Sequence, residues 1–272
     1  MRGDRKALSP PRGAVPGALN DRAPSSEVDT CLSRQDEPMS EFGAAFAQAF
    51  DLIASLDGDF VEIVVRSLYV SLVAVALAAL IGLPLGAAVA LFRFPGRHFV
   101  AVLLNALMGL PPVVVGLTVY LMLSRAGPFG VLDLLFTPTA MVIAQCVLVT
   151  PIIAALTRQV VEDLWRDYSE LLRSLGAGPA RALPTLLWDG RYTLFTAVLA
   201  GFGRASAEVG GVMIVGGNID HLTRVMTTAI VMETSKGDLA MALGLGLVLI
   251  GLSLAVNGAV YMMREVAVGT PP

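Results

Sequence analysis

Four stretches of the chain run for 24 or 25 positions without a charged residue: Leu68–Phe92, Phe99–Leu123, Leu134–Thr157 and Leu239–Met263. A helix crosses the hydrocarbon core of a bilayer with roughly 20 apolar residues. Inside lipid every backbone N–H and C=O must find its partner within the segment, so uncharged runs of this length are helices. A fifth run, Tyr192–Ile219, is apolar except for Arg204 and Glu208. The expectation is an all-α integral membrane protein with about five transmembrane helices. Composition agrees, with 55% hydrophobic and only 15% charged residues, against roughly 25% charged in a soluble domain.

The same inventory excludes several function classes. A net charge of −3 leaves no basic excess for nucleic acid. Cys31 lies in a polar stretch and Cys146 in an apolar run, so neither a disulfide framework nor a thiolate metal site is expected. The two histidines, His98 and His221, are far apart, and a metal site on either needs carboxylates placed beside it. No metal and no cofactor is expected. A membrane-embedded enzyme would need a base or metal cluster, which two distant histidines do not make. A stand-alone secondary transporter commonly shows internal repeats with paired broken helices, and no such repeat is visible.

Residues 1–38 mix six basic and six acidic residues with five prolines. They lack the apolar core of a signal peptide and read as a disordered tail. Met39 opens the first organised segment and is a candidate start, so 39–268 is expected to form one transmembrane domain. Within Glu41–Leu56, Phe42, Ala45, Phe46, Ala49, Phe50 and Ile53 recur at helical spacing. This helix is too short to span. It either lies at the membrane surface or packs on the bundle.

Arginines set the orientation. The loops on one side hold Arg93, Arg97, Arg158, Arg166, Arg173, Arg181, Arg191 and Arg264, whereas those on the other hold Arg125, Arg224 and Lys236. The positive-inside rule then places the C-terminus in the cytoplasm and the start of the first span outside. Glycine and proline punctuate the spans at Gly82-Leu-Pro-Leu-Gly86, Gly109-Leu-Pro-Pro112 and Pro151. Membrane helices tolerate both when neighbours satisfy the freed carbonyls. The alternative is helices bent around a pathway. Gly82, Gly86, Ala87 and Ala90 also permit close helix contact.

The loop Arg158–Arg191 is the longest on the arginine-rich side. Leu164, Tyr168, Leu171, Leu172 and Leu175 share one helix face. Gly176 suits the position just past a helix end. Pro179 can open a second, short helix, which Pro184 would limit. The reading is a helix–glycine–helix hairpin between spans three and four. Here Glu170-Leu-Leu-Arg-Ser-Leu-Gly-Ala-Gly-Pro-Ala-Arg181 resembles the cytoplasmic signature loop of ABC importer permeases, with Leu171 and Leu172 in place of the usual alanines and Trp188-Asp189 where Leu-Pro is common. The resemblance implies a coupling helix that docks on an ABC ATPase subunit, with Glu170 and Gly176 at the signature positions. Ala177, Pro179 and Arg181 then belong to the docking segment Ala177–Leu183.

Arg204 and Glu208 are four apart on one helix face, within pairing reach. A lone charge at mid-membrane costs several kcal/mol, so such residues pair and face a bundle interior or a water-filled cavity. The pair serves either helix packing or a pathway. Gly201-Phe-Gly-Arg-Ala-Ser-Ala-Glu-Val-Gly210, Gly216-Gly-Asn-Ile219 and Thr223-Arg-Val-Met-Thr-Thr228 resemble the permeases of tungstate, molybdate and sulfate importers. The Ala-Glu-Val-Gly and Val-Gly-Gly-Asn-Ile versions look most like the tungstate branch, and Glu208, Asn218 and Thr223 match the pattern. The resemblance spans about Met39 to Arg264. It implies an inner-membrane permease subunit for an oxyanion, tungstate first, with a molybdate, sulfate or phosphate permease as the alternative. It also implies two copies lining one pathway through the lipid bilayer and an extracytoplasmic oxyanion-binding protein. With no Gly-x-x-x-x-Gly-Lys-Ser/Thr loop in the sequence, ATP hydrolysis falls to a separate subunit. An oxyanion also needs hydrogen-bond donors and positive potential, which Asn218, Thr223, Arg224, Thr227 and Thr228 can supply near the outer mouth, although Thr227 and Thr228 read rather as ordinary loop residues.

Overall fold

The computed structural model describes residue 43 and residues 46–51, 53–55 and 57–268, without the side chains of 260, 261 and 263–268. The tail 1–38, Cys31, Met39, Phe42 and Ala45 lie outside the described residues. The chain divides into two units after Ala44, and the helical bundle belongs to the second, Ala45–Pro272.

Among the described residues, nine α-helices follow Asp57: α1 (Gly58–Leu91), α2 (Arg97–Met108), α3 (Pro112–Leu123), α4 (Pro138–Ser174), α5 (Pro179–Asp189), α6 (Arg191–Ser206), α7 (Gly210–Gly216), α8 (Met226–Lys236) and α9 (Leu239–Val268). A 3-10 turn, Gly130–Leu132, lies before α4. Of these, three helices, α1, α4 and α9, are long and apolar enough to cross a membrane, and there are up to five spans if α2–α3 and α6–α7 each count as one bent span. The helical residues at 46–51 and 53–55 pack on the bundle, with Ala49 fully buried and Ile53 against Phe60, Ile63 and Met226.

The second span is not the straight helix its uncharged run suggested. α2 and α3 meet at a bend of 103°, which makes this run a broken span or a re-entrant loop. Pro111 and Pro112 remove two successive N–H donors, and a residue before proline avoids the helical region. Pro84 and Pro151 stay inside continuous helices. The two halves lie at different depths. Leu104 of α2 packs with Val89, Ala154 and Ala155, whereas Val115, Val119 and Leu123 of α3 pack with Ala140, Ala144 and Leu148.

Small residues let the two longest spans touch. Gly82, Gly86, Ala87 and Ala90 are all buried. A Cβ on Gly86 would overlap the Ala154 carbonyl oxygen, and one on Gly82 would lie 3.1 Å from Ile153. The contact expected from the sequence is therefore backbone against backbone. Outward from this core, Leu72, Leu80, Ile250 and Leu254 are exposed, as a lipid-facing surface requires.

With 37 residues, α4 is about 55 Å long at 1.5 Å per residue, well beyond the roughly 30 Å of a hydrocarbon core. Its last turns therefore project as the first arm of the hairpin, which is a continuation of the span and not a separate helix. The projection is braced. Arg97 donates to the Val89 and Ala90 carbonyls at 2.8 and 2.9 Å, closing the end of α1, and pairs with Glu162 at 2.6 Å. Arg158 pairs with the same carboxylate at 2.7 Å.

Candidate translocation site and coupling hairpin

Gly176 ends α4 in the left-handed conformation, at φ +75°. The Gly176 N–H donates to Arg173 O at 3.0 Å and the Ala177 N–H to Leu172 O at 2.8 Å, the paired bonds of a Schellman motif. Pro179 takes the first position of α5, and the Arg181 and Ala182 N–H groups bond back to Gly178 O. Contrary to the sequence expectation, Pro184 does not limit this helix, which continues to Asp189. The bond it forfeits is to the carbonyl of Ala180, a residue exposed to solvent. One face of α5 is anchored, with Ala182 and Leu186 buried against Ala87, Leu91 and Val161. Elsewhere on the hairpin Tyr168, Leu171 and Leu175 of α4 and Trp188 of α5 are exposed by 42 to 73%. Pro179 and Arg181 are exposed beside them, as is Glu170, and Ala177 is half-buried. Leu171 and Trp188, which depart from the signature pattern, are thus both exposed, the Trp188 ring beneath the Arg191 guanidinium.

Gly176→Val should cost about 1–2 kcal/mol locally, since a β-branched residue is strained at positive φ. No neighbouring atom lies within 4 Å of its Cβ position. Membrane insertion is therefore expected to be normal while the melting temperature falls, a pair of results read by membrane fractionation and thermal unfolding. An unchanged melting temperature would count against strain at this turn.

The fourth span is also broken. It bends by 61° between α6 and α7, and Glu208 sits in the break, so Arg204 and Glu208 do not share one continuous helix. They pair nonetheless, Arg204 Nη1 to Glu208 Oε2 at 3.1 Å. The other carboxylate oxygen accepts the Gly211 N–H at 3.0 Å. Glu208 is 5% exposed and the Arg204 side chain 34%. Thr227 donates to the Glu208 carbonyl at 2.8 Å and Gln145 Nε2 to the Ala205 carbonyl at 3.2 Å. These bonds satisfy groups a helix end leaves open.

The breaks in spans two and four meet. A Cβ on Gly116 of α3 would lie 2.6 Å from the Cα of Gly211, and one on Gly211 2.9 Å from Pro112 O. Beside this crossing, Pro112, Gly116, Gln145, Glu208 and Gly211 line a cavity of about 10 Å³.

Beyond α7 the donors expected at the mouth are mostly engaged inside the fold. Thr223 is 1% exposed. Its hydroxyl donates to Gly216 O at 2.6 Å and accepts the Ile219 N–H at 2.9 Å. Asn218, at φ +50°, directs its amide at the Met232 sulfur, 2.9 Å away. Thr227 and Thr228 open α8 and are buried there, where the sequence suggests ordinary loop. Arg224 pairs with Asp220 at 2.9 Å and lies 3.9 Å from Glu233.

Sequence reasoning missed a polar strap at this end. His221 Nδ1 lies 2.9 Å from Glu62 Oε2, Arg66 pairs with the same carboxylate, and Arg66 donates to the His221 carbonyl at 2.7 Å. Asp59 and Glu62 are thus the carboxylates a histidine metal site would require, with one ligand atom from each within 4.8 Å of one from His221. The strap ties the α7–α8 loop to α1. The hydrogen bond to Glu62, helped by the charge of Asp220, raises the pKa of His221. A raised value means that the strap stabilises the fold fully below the ordinary histidine pKa and loses that contribution as pH climbs through the raised one. His221→Asn should therefore lower the melting temperature more in mildly acidic buffer than at alkaline pH. A pH-independent difference would contradict the strap.

A helical membrane bundle with two broken spans and a protruding hairpin on its arginine-rich side has the architecture of a permease subunit. Residues 82–264 match the family of binding-protein-dependent transport system inner membrane components, and the chain belongs to it. It is 40% identical over 227 residues to the tungstate uptake system permease protein TupB of Peptoclostridium acidaminophilum, covering 84% of this chain and all of that one. It is 40% identical over 210 residues to a probable anion ABC transporter permease protein of Haloferax volcanii (75% and 90% covered). The TupB of Campylobacter jejuni is 35% identical over 220 residues (81% and 92%).

Proposed function

We propose that the chain is the membrane-spanning subunit of an ATP-driven importer for an oxyanion, tungstate first. The supporting observation is the likeness to two tungstate uptake permeases over most of both chains. ATP hydrolysis belongs to a separate ABC ATPase, for which the exposed face of Tyr168, Leu171, Leu175 and Trp188 offers a docking surface. An extracytoplasmic binding protein delivers the anion. Two copies line one pathway through the bilayer, with the tail 1–38 outside the single transmembrane domain 39–268 and the C-terminus in the cytoplasm. The arginine asymmetry supports that orientation.

Arg204, Glu208, Asn218 and Thr223 belong to the pathway in this reading. Arg204 keeps part of its guanidinium exposed while paired to Glu208, and an exposed charge at that depth faces water or a second copy, not lipid. Asn218 and Thr223 contribute by shaping the turn above α7.

The test is uptake of radiolabelled tungstate by cells with and without the chain, against excess molybdate, sulfate or phosphate. Chain-dependent uptake that resists the competitors is the expected result. Equal inhibition by molybdate or sulfate would keep the oxyanion class and overturn tungstate. No dependence on the chain for any of these anions would overturn the class.

A further inference from the structure

We propose that Gln145 is the positioning residue through which movement of the coupling hairpin reaches the break in the fourth span, an inference that rests on the transport reading above. Gln145 lies on α4, is 4% exposed, and donates through Nε2 to the Ala205 carbonyl in the last turn of α6. Among the described residues this is the one side-chain hydrogen bond joining α4 to α6. The same carbonyl accepts the Glu208 N–H at 3.2 Å. Gln145 therefore grips the atom from which Glu208, and with it the Arg204 pair, is hung.

The other end of α4 is the hairpin. The helix is continuous from Pro138 to Ser174 through Pro151, so Gln145 and Ser174, just before the turn at Gly176, lie on one helix about 44 Å apart at 1.5 Å per residue. The hairpin end cannot swing independently. Val161 is buried against Ala182 and Leu186 of α5, and Glu162 is clamped by Arg97 and Arg158. A displacement imposed on the hairpin therefore reaches Gln145 together with the ends of α1 and α2 that hold Val161 and Glu162.

At the receiving end, Gln145 Oε1 is buried without a protein partner. Gln145 borders the cavity of about 10 Å³ that also touches Glu208, Gly116 and Gly211, which is room for a single water. A small displacement of α4 here alters the hydrogen bonding of Glu208 at the place where the two broken spans cross. Coupling between distant sites requires an element with two arrangements that both ends bias. The proposed element is the break held by Gln145, Thr227 and Glu208.

The experiment reconstitutes the complex with its ATPase and binding protein in proteoliposomes and measures tungstate accumulated and ATP hydrolysed together. Gln145→Leu and the longer Gln145→Met are expected to move at least tenfold fewer anions per ATP, with hydrolysis within about twofold of the unaltered complex. Gln145→Asn should recover part of the ratio. An unaltered ratio in both apolar variants overturns the proposal. So does a parallel loss of uptake and hydrolysis in step with the amount of folded protein, which is the behaviour of a packing residue. Absence of oxyanion uptake by the unaltered complex would instead sink the transport reading itself.

Discussion

Glu208→Ala should lower the stability of the detergent-solubilised protein by about 2–3 kcal/mol. The carboxylate is 5% exposed and serves two partners, the Arg204 guanidinium and the Gly211 N–H. Its removal leaves a charge and a backbone donor unpaired where two broken helices meet. Breaking one side of a buried ion pair typically costs about 3–5 kcal/mol, and solvent screening at the partly exposed Arg204 brings the figure to that lower limit or just below it. Glu208→Gln keeps an acceptor for Gly211 and should cost less. The informative variant is the double one, Arg204→Leu with Glu208→Gln, which removes the charges together. A packing pair predicts recovery of both melting temperature and uptake. A pathway pair predicts recovered melting temperature with uptake still at least tenfold down.

Gly116→Val is expected to do at least as much damage by a different route. The introduced Cβ would lie 2.6, 2.8 and 3.1 Å from three backbone atoms of Gly211. Overpacking usually costs about 1–3 kcal/mol because side chains shift. Here the obstacle is main chain on both sides, so α3 and α7 have to separate and a cost of about 3 kcal/mol or more follows. The readout is the yield of monodisperse protein on size exclusion and its melting temperature. Gly246→Ala, with no atom within 4 Å of the Cβ position, is the control expected to melt normally. A normal Gly116→Val would mean that the two breaks do not touch.

Other contacts join residues that chain order keeps far apart. Arg97 and Glu162 are 65 residues apart, Glu62 and His221 159, and Gln145 and Ala205 60. No periodicity relates such pairs. Gln145 in particular is one polar residue in an apolar run, and only its position opposite the end of α6 gives it a partner.

The sequence by itself determined which stretches are long and apolar enough to lie in a membrane, the hairpin with its glycine turn, the pairing of Arg204 with Glu208 and the close approach of α1 to a neighbour through its small residues. Each of these is local or is forced by solvent. Lipid obliges an uncharged run to satisfy its own backbone, the left-handed turn past a helix end favours glycine, and residues four apart come within pairing reach where the chain still turns helically, as it does through Ala207. The tertiary structure decided which of the proline sites break a span, that Glu208 lies in such a break, and that Thr227 and Thr228 begin a helix and are buried. It also made the hairpin's first arm an extension of the third span. The physical reason is that a helix gives way, or bends without breaking, according to what neighbouring elements offer its freed N–H and C=O groups. Those offers come from residues that only folding brings near. Pro84 and Pro151 remain in continuous helices, whereas Pro111-Pro112 ends one where α7 comes alongside with a glycine.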